Sequence, residues 1–363
     1  MGNLQLDYSP KELLADAEYT EPLFAAGRRC HGGFDADGTY VSPRTLNRMP
    51  AIAAWKENHV ATSGNAILEI PLETWPEQYP NLAQSRFLLE QGVRDPIVTI
   101  LTRIGTVEGF GAMLRFALVP NIQNYFEDDV SGTATAHLEH GLFEAHARDE
   151  AGYIGTAGHD EMWYAARDIA FEDPVTSDQT AIMLERIGIS SGGSEQPDPE
   201  TLMQRAMEMR QFADLDLGVE MLLHRMLSLL FIEIQAFHTF AWAEDLLADT
   251  RLCAGEGEAA RLVSFIRQDE TPHVEYLRTS LSEMRVRNFR SESGGAIPGE
   301  LVVDQLWDFH LNESIGQRRQ DFLEIAAREV EHALDGHPRG GEILEECHRL
   351  GSVRPGPDGK FAA

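Results

Sequence analysis

Apolar residues recur at intervals of three and four positions through most of the chain from residue 96 onward, which predicts amphipathic helices. The predicted helices span about 44–62, 96–118, 131–149, 159–171, 214–249, 256–286 and 300–335. Pro and Gly recur through residues 1–95, which indicates loops and short helices there. Few stretches alternate strictly between apolar and polar residues, so strand signals are few. We therefore predict an all-α protein whose long helices lie in its middle.

The predicted elements divide the chain into three parts. Residues 1–95 are an N-terminal extension of loops and short helices, and residues 96–285 are a helical bundle. Residues 286–363 are a C-terminal helical extension whose tail is expected to be mobile.

Three of the predicted helices each carry a single glutamate in the middle of an apolar face. These glutamates are Glu108, Glu233 and Glu270. On a 3.6-residue period their apolar neighbours are Leu101 and Ile104 for the first, Met226, Leu230, Phe237 and Phe240 for the second, and Leu262, Ile266 and Leu277 for the third. Because an isolated carboxylate is costly to bury, each glutamate is expected to have a partner.

The segment Glu270-Thr-Pro-His273 adds an imidazole to one of these faces. His273 lies one turn beyond Glu270 on the same face. Pro272 removes one helical hydrogen bond, which predicts a kink beside this pair. Asp269 and Glu275 fall on other faces and are expected to be solvated charges.

The predicted helix over 131–149 offers carboxylates and imidazoles as well. One face carries His137, His140 and Glu144, whereas Glu139 and His146 lie on another. This helix can therefore present a carboxylate and one or two imidazoles to the same interior. The segment HDEMWYAARD at 159–168 is also rich in functional groups, but an N-capped amphipathic helix explains it equally well.

Glutamates and histidines that converge inside a bundle need positive charge to compensate them. Lys and Arg are nearly absent from the apolar stripes. Two divalent metal ions would supply the missing charge. Carboxylate and imidazole ligands suit iron or manganese, and open coordination positions can bind dioxygen.

This arrangement resembles the ferritin-like di-iron carboxylate superfamily over about residues 96–285. That superfamily takes one glutamate from each of two helices and a Glu-x-x-His pair from each of two others. The resemblance assigns Glu108 to the first metal helix, Glu233 to the third, and Glu270 with His273 to the fourth. The implied fold is a ferritin-like four-helix bundle with additional N- and C-terminal helices.

The second metal helix departs from the pattern, because it reads His137-x-x-His140-x-x-x-Glu144 and has no Glu-x-x-His. In one alternative Glu144 and His140 bind metal, and His137 orients a ligand or lines the pocket. In the other, His137 and His140 both bind metal and the site is richer in nitrogen. We favour the first, because imidazole is a poor substitute for a carboxylate that bridges two metals. Glu144 and Glu233 are then the catalytic candidates.

The resemblance implies a di-iron oxidase or oxygenase that hydroxylates, N-oxygenates, desaturates or cleaves a small organic substrate. Its cofactors are two iron ions, with manganese or a mixed pair as the alternative, and dioxygen is the co-substrate. Candidate pocket walls are Phe237, Phe240, Leu101 and Ile104. Two other functions stay open: a ferroxidase or peroxide-scavenging ferritin-like protein, and a metal-free helical interaction protein.

Charge and cysteine content narrow the expected partners. The 363 residues carry a formal net charge of −29, and such a surface repels nucleic acid and anionic lipid. The three cysteines are far apart and form no CxxC pair, which fits a reducing compartment. The N-terminus has no basic and apolar leader, and the most apolar run, 226–243, is interrupted by charge. We expect a cytoplasmic protein off the membrane that takes a small-molecule substrate, with an electron-donor protein and a homodimer left open.

Overall fold

The computed structural model describes residues 4–70, 75–76, 78–116, 121–171, 176–186 and 199–351. The tail that was predicted to be mobile lies outside the described residues from 352 onward. Helices make up most of the described chain, and the predicted all-α class is confirmed.

The α-helices of the described residues are numbered along the chain. In the N-terminal half they are α1 (Pro10–Leu13), α2 (Arg48–Ser63), α3 (Leu82–Glu90), α4 (Asp95–Gly109), α5 (Glu144–Ala151), α6 (His159–Ala170) and α7 (Ser177–Arg186). In the C-terminal half they are α8 (Pro199–Met209), α9 (Leu217–Leu247), α10 (Glu258–Asp269), α11 (Thr271–Arg285), α12 (Gly299–Ile315), α13 (Gln317–Ala333) and α14 (Gly340–Leu350).

Two small antiparallel sheets accompany the helices. The strands β1 (Glu21–Ala25), β2 (Arg28–Phe34) and β3 (Tyr40–Val41) pair in chain order, and β4 (Asn288–Arg290) pairs with β5 (Ala296–Pro298). The turn between β1 and β2 has two residues, Ala26 and Gly27, both with positive φ. Such a turn matches the twist of a hairpin, and this local signal was missed.

The long α9 runs through the centre of the fold. Its N-cap, Asp216, accepts hydrogen bonds from the backbone N–H groups of Gly218 (2.8 Å) and Val219 (3.1 Å), which satisfies two of the free donors at the helix start. The helix packs against α10, α11 and α12. By length and composition alone the segment Asp95–Leu114 could cross a membrane, but core helices pass the same test.

Two of the predicted helices change their hydrogen-bonding pattern along their length. The α4 helix ends at Gly109 and continues as a 3₁₀-helix over Phe110–Phe116. The segment predicted as one helix over 131–149 consists of a 3₁₀ turn at Thr135–His137, a π-helix at Leu138–Phe143, and α5. A π-helix bonds residue i to i+5, so the residues after it face a direction that a 3.6-residue period does not predict.

Two other predicted helices are each broken into a pair. A helix break lies beside Pro272, where a kink was predicted: α10 ends at Asp269 and α11 begins at Thr271. Glu270 is the junction residue. The predicted helix over 300–335 is broken at Gly316, between α12 and α13.

The buried apolar side chains form two large clusters. One includes Phe126, Phe289 and the first half of α9, and the other includes Trp163, Phe240 and α10. Ile234 belongs to the first cluster and Phe240 to the second, so the boundary between the clusters crosses α9 near Glu233. Polar groups placed at this boundary are surrounded by apolar side chains on both sides.

A buried histidine pair joins α9 to α12. His224 Nδ1 lies 2.9 Å from His310 Nε2, and both rings are almost fully buried. Burial, the neighbouring His224 and Arg318 lower the pKa of His310 to about 4. The folded protein therefore holds this ring neutral in a pH range where an unfolded chain would protonate it.

We expect this pair to make stability depend on pH. A histidine whose pKa is depressed by folding stabilises the fold above its unfolded pKa of roughly 6.5, and this contribution is lost as pH falls toward about 4. Replacing the ring with an amide, His310→Gln, should make the decline in the free energy of unfolding shallower over that range. Chemical denaturation at a series of pH values measures the slope, and the exposed His332→Gln is the control. An unchanged slope in His310→Gln would contradict the assignment.

Candidate metal centre

The structure brings four of the predicted ligands together at the boundary between the apolar clusters. Glu108 comes from the end of α4, Glu233 from α9, Glu270 from the α10–α11 junction, and His273 from α11. His273 Nδ1 lies 2.6 Å from Glu270 Oε2. All are buried except Glu108, which is partly exposed.

The structure does not bring Glu144 and His137 to this cluster. Glu144 Oε1 accepts a hydrogen bond from Arg148 Nε at 2.6 Å, near the surface. His137 Nε2 accepts from the backbone N–H of Tyr8 at 3.1 Å, and its Nδ1 lies 2.7 Å from the carbonyl oxygen of Thr133. Both ring nitrogens of His137 are therefore engaged, which leaves no lone pair for a metal. The side chain of His140 lies outside the described residues.

The helix that should have supplied those ligands contributes His146 and Glu150 instead. They are four residues apart on α5 and both are buried. The prediction placed His146 on the opposite face because it treated 131–149 as one regular helix, whereas the π-helix before α5 changes the direction of every later residue. One signal could have found Glu150: the dipeptide Asp-Glu occurs at 149–150, 160–161 and 269–270, and two of the three contribute a glutamate to the cluster.

His159 is a further member that the sequence analysis did not assign. It is the first residue of α6 and is fully buried. The chain returns from Glu150 to His159 through a tight loop whose ends touch, because a Cβ atom on Gly158 would overlap the backbone of Gly152 and Glu150. Glycine at this position thus lets the backbone approach closely enough to place both side chains in one cluster.

The seven side chains form two overlapping groups. One group is His146, Glu150, Glu233 and His273, and the other is Glu108, Glu150, His159 and Glu270. Within each group, one potential ligand atom per residue lies within 4.8 Å of all the others. His146 Nε2 is 3.1 Å from Glu233 Oε1, and His159 Nδ1 is 2.8 Å from Glu270 Oε1. Because Glu150 belongs to both groups, the arrangement suits two cations that share one carboxylate.

Several of the atoms that face this space lie close to one another but in directions that do not form hydrogen bonds. These atoms are His146 Nε2, His159 Nδ1, Glu150 Oε1 and Glu270 Oε1. Buried polar atoms in native proteins are nearly always satisfied, so a cluster of unsatisfied ones requires an explanation. Cations between them would satisfy all four, and the donor set therefore fits metal ions.

The opposite ring nitrogens are held by other side chains. His273 Nε2 lies 2.9 Å from Asp149 Oδ2, and His146 Nδ1 lies 3.0 Å from the Tyr276 hydroxyl. Such contacts fix the orientation and tautomer of metal-bound histidines. Each aspartate of the dipeptides Asp149-Glu150 and Asp269-Glu270 contacts a histidine that is near the other dipeptide in the sequence. Asp149 contacts His273, which follows Glu270.

Asp269 faces His159, the next histidine in the sequence after Glu150. Its Oδ2 atom lies 3.5 Å from His159 Nε2 and accepts a hydrogen bond from the Tyr40 hydroxyl at 2.8 Å. The expectation that Asp269 is a solvated charge is wrong, because its side chain is fully buried.

Buried arginines supply part of the positive charge. Arg44 and Arg48 both form ion pairs with Asp149, and neither belongs to the stripes that the sequence analysis considered. The carboxylates in or beside the cluster are Glu108, Asp149, Glu150, Glu233, Asp269 and Glu270. Two divalent cations together with the two arginines would balance these six negative charges.

Without cations, the cluster must hold protons. Burial, together with Glu108 and Glu270, raises the pKa of Glu150 well above its usual value. Burial and Glu108 raise the pKa of Glu233 to about 8, and burial and Glu233 raise that of Glu270 to about 7. Burial lowers the pKa of His146 to about 3, so this ring is neutral and has a lone pair for a metal.

Comparisons of the chain with protein-family models, with curated proteins and with solved structures found no match. The functional inference therefore rests on the geometry and chemistry of the residues.

We expect metal binding to release protons. Because the pKa of Glu233 is about 8 and that of Glu270 is about 7, the two carboxyls together hold roughly one to two protons at pH 7. Filling the cluster with cations should therefore displace at least about one proton per chain, and the metal affinity should fall as pH falls through this range. Calorimetric titration with Mn²⁺ in buffers of different ionisation enthalpy measures the number released. The control is Glu144→Gln, which should release as many protons as the wild type. Binding without proton release would contradict the predicted protonation of the metal-free cluster.

We also expect Gly111 to be required for the position of Glu150. A Cβ atom at residue 111 would overlap the Glu150 side chain, whereas one at Gly109 would lie 3.4 Å from its nearest neighbour, Asp160 Oδ2. Gly111→Ala should therefore lower Mn²⁺ affinity about 10- to 100-fold. Gly109→Ala, at the end of the preceding α4, should bind as the wild type does. Metal titration with circular dichroism as a folding check decides between them, and equal affinities would refute this packing argument.

Proposed function

We propose that the chain is a di-iron oxidase or oxygenase with a ferritin-like metal-binding core, acting on a small organic substrate with dioxygen. The observation that carries this proposal is the pair of buried ligand groups that share Glu150. One group alone would suit a single structural ion, but two groups with a common carboxylate suit a binuclear centre.

The donor atoms support iron or manganese. The cluster offers oxygen and imidazole nitrogen and no thiolate. The cysteines Cys30, Cys253 and Cys347 are buried and free, and burial raises the pKa of each thiol to about 11. None of the three belongs to either ligand group.

The ligand set differs from the resemblance in two respects that bear on chemistry. The second metal helix carries His146-x-x-x-Glu150, with the histidine before the glutamate, and α6 adds His159. The proposed ligands are thus Glu108, His146, Glu150, His159, Glu233, Glu270 and His273. The imidazole of His159 makes the site richer in nitrogen. The alternative in which His137 and His140 both bind metal also predicted a nitrogen-rich site, but from different residues.

Two iron ions bound here would supply the reduction of dioxygen and the oxidation of the substrate. The residues of the chain hold and orient the ligands: Asp149 and Tyr276 contact the outer nitrogens of His273 and His146, and Trp163 Nε1 donates to Glu108 Oε1 at 3.2 Å. The same residues fix which nitrogen of each ring carries a proton. Iron would therefore meet ligands that are already oriented.

Apolar side chains beside the cluster keep water away from it. Leu101 and Phe240 are fully buried, and the Phe240 ring stacks on Trp163 with centroids 5.3 Å apart. Ile104 is partly buried and packs against the apolar cluster that contains Leu101 and Phe240. Phe237, the fourth candidate wall, is 41% exposed and lies beneath Arg267. The proposed pocket walls are thus the first three residues, and a dry site strengthens the electrostatic interactions within it.

The α4 end of the cluster is the side we assign to substrate entry. Glu108 is the least buried of the seven side chains, and the exposed Phe110 and Met113 follow it in the chain. Apolar side chains at an entrance favour an organic substrate with an apolar portion.

We expect about two Fe²⁺ ions per chain after anaerobic reconstitution. Glu233→Ala should lose metal and iron-dependent oxygen consumption while it keeps the helical circular dichroism, because the apolar residues around it remain. Glu144→Ala is the matched control, since it removes a glutamate that the structure places outside the cluster. Elemental analysis and an oxygen electrode measure both outcomes, and full metal content in Glu233→Ala would refute its role as a ligand.

The same experiment separates the other two functions. If the iron itself is oxidised in proportion to the oxygen consumed and accumulates beyond two ions per chain, the protein is a ferroxidase. If carefully reconstituted wild type holds no stoichiometric metal, the cluster is a metal-free part of a helical interaction protein. If an added organic compound increases oxygen consumption while the iron content stays at two ions per chain, the result supports an oxygenase.

A further inference from the structure

Arg44 is a buried cation that the proposed metal chemistry does not use directly. It lies between β3 and α2, is only 6% exposed, and has a positive φ of 51°. Its backbone N–H donates to Asp16 Oδ1 at 2.7 Å, which helps to hold this conformation. A left-handed backbone and a buried guanidinium are each costly, so the surroundings must stabilise both.

The first set of contacts leads from Arg44 to His273. Arg44 Nε lies 2.6 Å from Asp149 Oδ1, and Nη2 also pairs with that oxygen. The other oxygen, Oδ2, pairs with Arg48 and lies 2.9 Å from His273 Nε2. A carboxylate held by an arginine accepts hydrogen bonds, so Nε2 of His273 carries the proton. Nδ1 is then left as the lone pair that faces the cluster.

The second set of contacts leads from Arg44 to His159. Arg44 Nη2 lies 3.5 Å from His31 Nδ1, and because a guanidinium has no acceptor, Nδ1 must be the unprotonated nitrogen. A neutral His31 ring then carries its proton on Nε2, which lies 3.4 Å from Asp269 Oδ2. The same oxygen lies 3.5 Å from His159 Nε2. His159 is thereby left with Nδ1 facing Glu150 and Glu270.

His31, His159 and Asp269 are also close enough together to hold a cation of their own. The proton assignment argues against a metal there. With its proton on Nε2, His31 faces Asp269 Oδ2 at 3.4 Å, and the Tyr40 hydroxyl donates to the same oxygen at 2.8 Å. This oxygen therefore already accepts a proton, and a second positive charge beside Arg44 would be repelled.

We propose that Arg44 is a positioning residue for the metal centre: through Asp149 and through His31 with Asp269, it fixes the orientation and tautomer of both His273 and His159. These histidines belong to different ligand groups, so one arginine from the N-terminal segment orients a ligand in each. The inference rests on the proposed metal centre.

The main test is anaerobic titration with Co²⁺, whose visible spectrum reports ligand geometry. Arg44→Gln should bind Co²⁺ about 10- to 100-fold more weakly and with an altered spectrum. Arg44→Lys keeps the charge and should keep the stability, but a single ammonium cannot donate to Asp149 and His31 as the planar fork does, so its spectrum should also change. The matched control is Arg29→Gln, which removes an exposed arginine on β2 and should bind as the wild type does.

The outcomes separate this inference from the proposed function. Wild-type affinity and spectrum in both Arg44 variants, with two ions in the wild type, would overturn the role of Arg44 alone. A wild type that binds no Co²⁺ would overturn the metal centre itself.

A second measurement needs no Arg44 variant to fold. Ring ¹⁵N resonances of the metal-free wild type report which nitrogen of each histidine carries the proton, and His31→Gln identifies the resonances of His31. The inference requires His31 to be protonated on Nε2. A proton on Nδ1 would overturn it, because Arg44 could not then donate to that ring.

Discussion

The constraint on which this structure depends is the cost of burying negative charge. Several carboxylates lie between two apolar clusters, where an uncompensated carboxylate either takes up a proton or costs several kcal/mol. The protein compensates with buried arginines, with histidines and with an arrangement of donor atoms that suits cations. The buried arginines, the histidines and the arrangement of donor atoms all follow from one requirement, which is to compensate the buried negative charge.

The compensation is arranged in successive shells. Glutamates and the inner ring nitrogens face the space between the two groups, and aspartates contact the outer nitrogens. Arginines and Tyr40 lie beyond the aspartates. The aspartates face the outer nitrogens of the imidazoles, and the arginines hold Asp149 in its charged form, so each shell fixes the protonation of the one inside it. The N-terminal segment belongs to this arrangement, since Arg44, Arg48, His31 and Tyr40 all come from it.

Irregular backbone places the inner side chains. Glu270 lies where α10 gives way to α11, His159 begins α6, and Glu108 is the second-last residue of α4. His146 and Glu150 follow a π-helix. Glu233, in contrast, lies in the middle of the uninterrupted α9, on the apolar face that a 3.6-residue period predicts. The irregular segments bring the other ligands to the same cluster.

The sequence by itself determined the helical class and the apolar faces that carry Glu108, Glu233, Glu270 and His273. These features are local, because a period of 3.6 residues and a proline within a helix act over a few turns of one chain segment. The tertiary structure alone decided that α5 presents His146 and Glu150 instead of Glu144, since the π-helix is a response to packing that periodicity does not encode. It also decided the roles of His159, Asp269 and Arg44. Their partners lie far away in the sequence, and the need to neutralise buried charge is met by whichever residues the fold brings near.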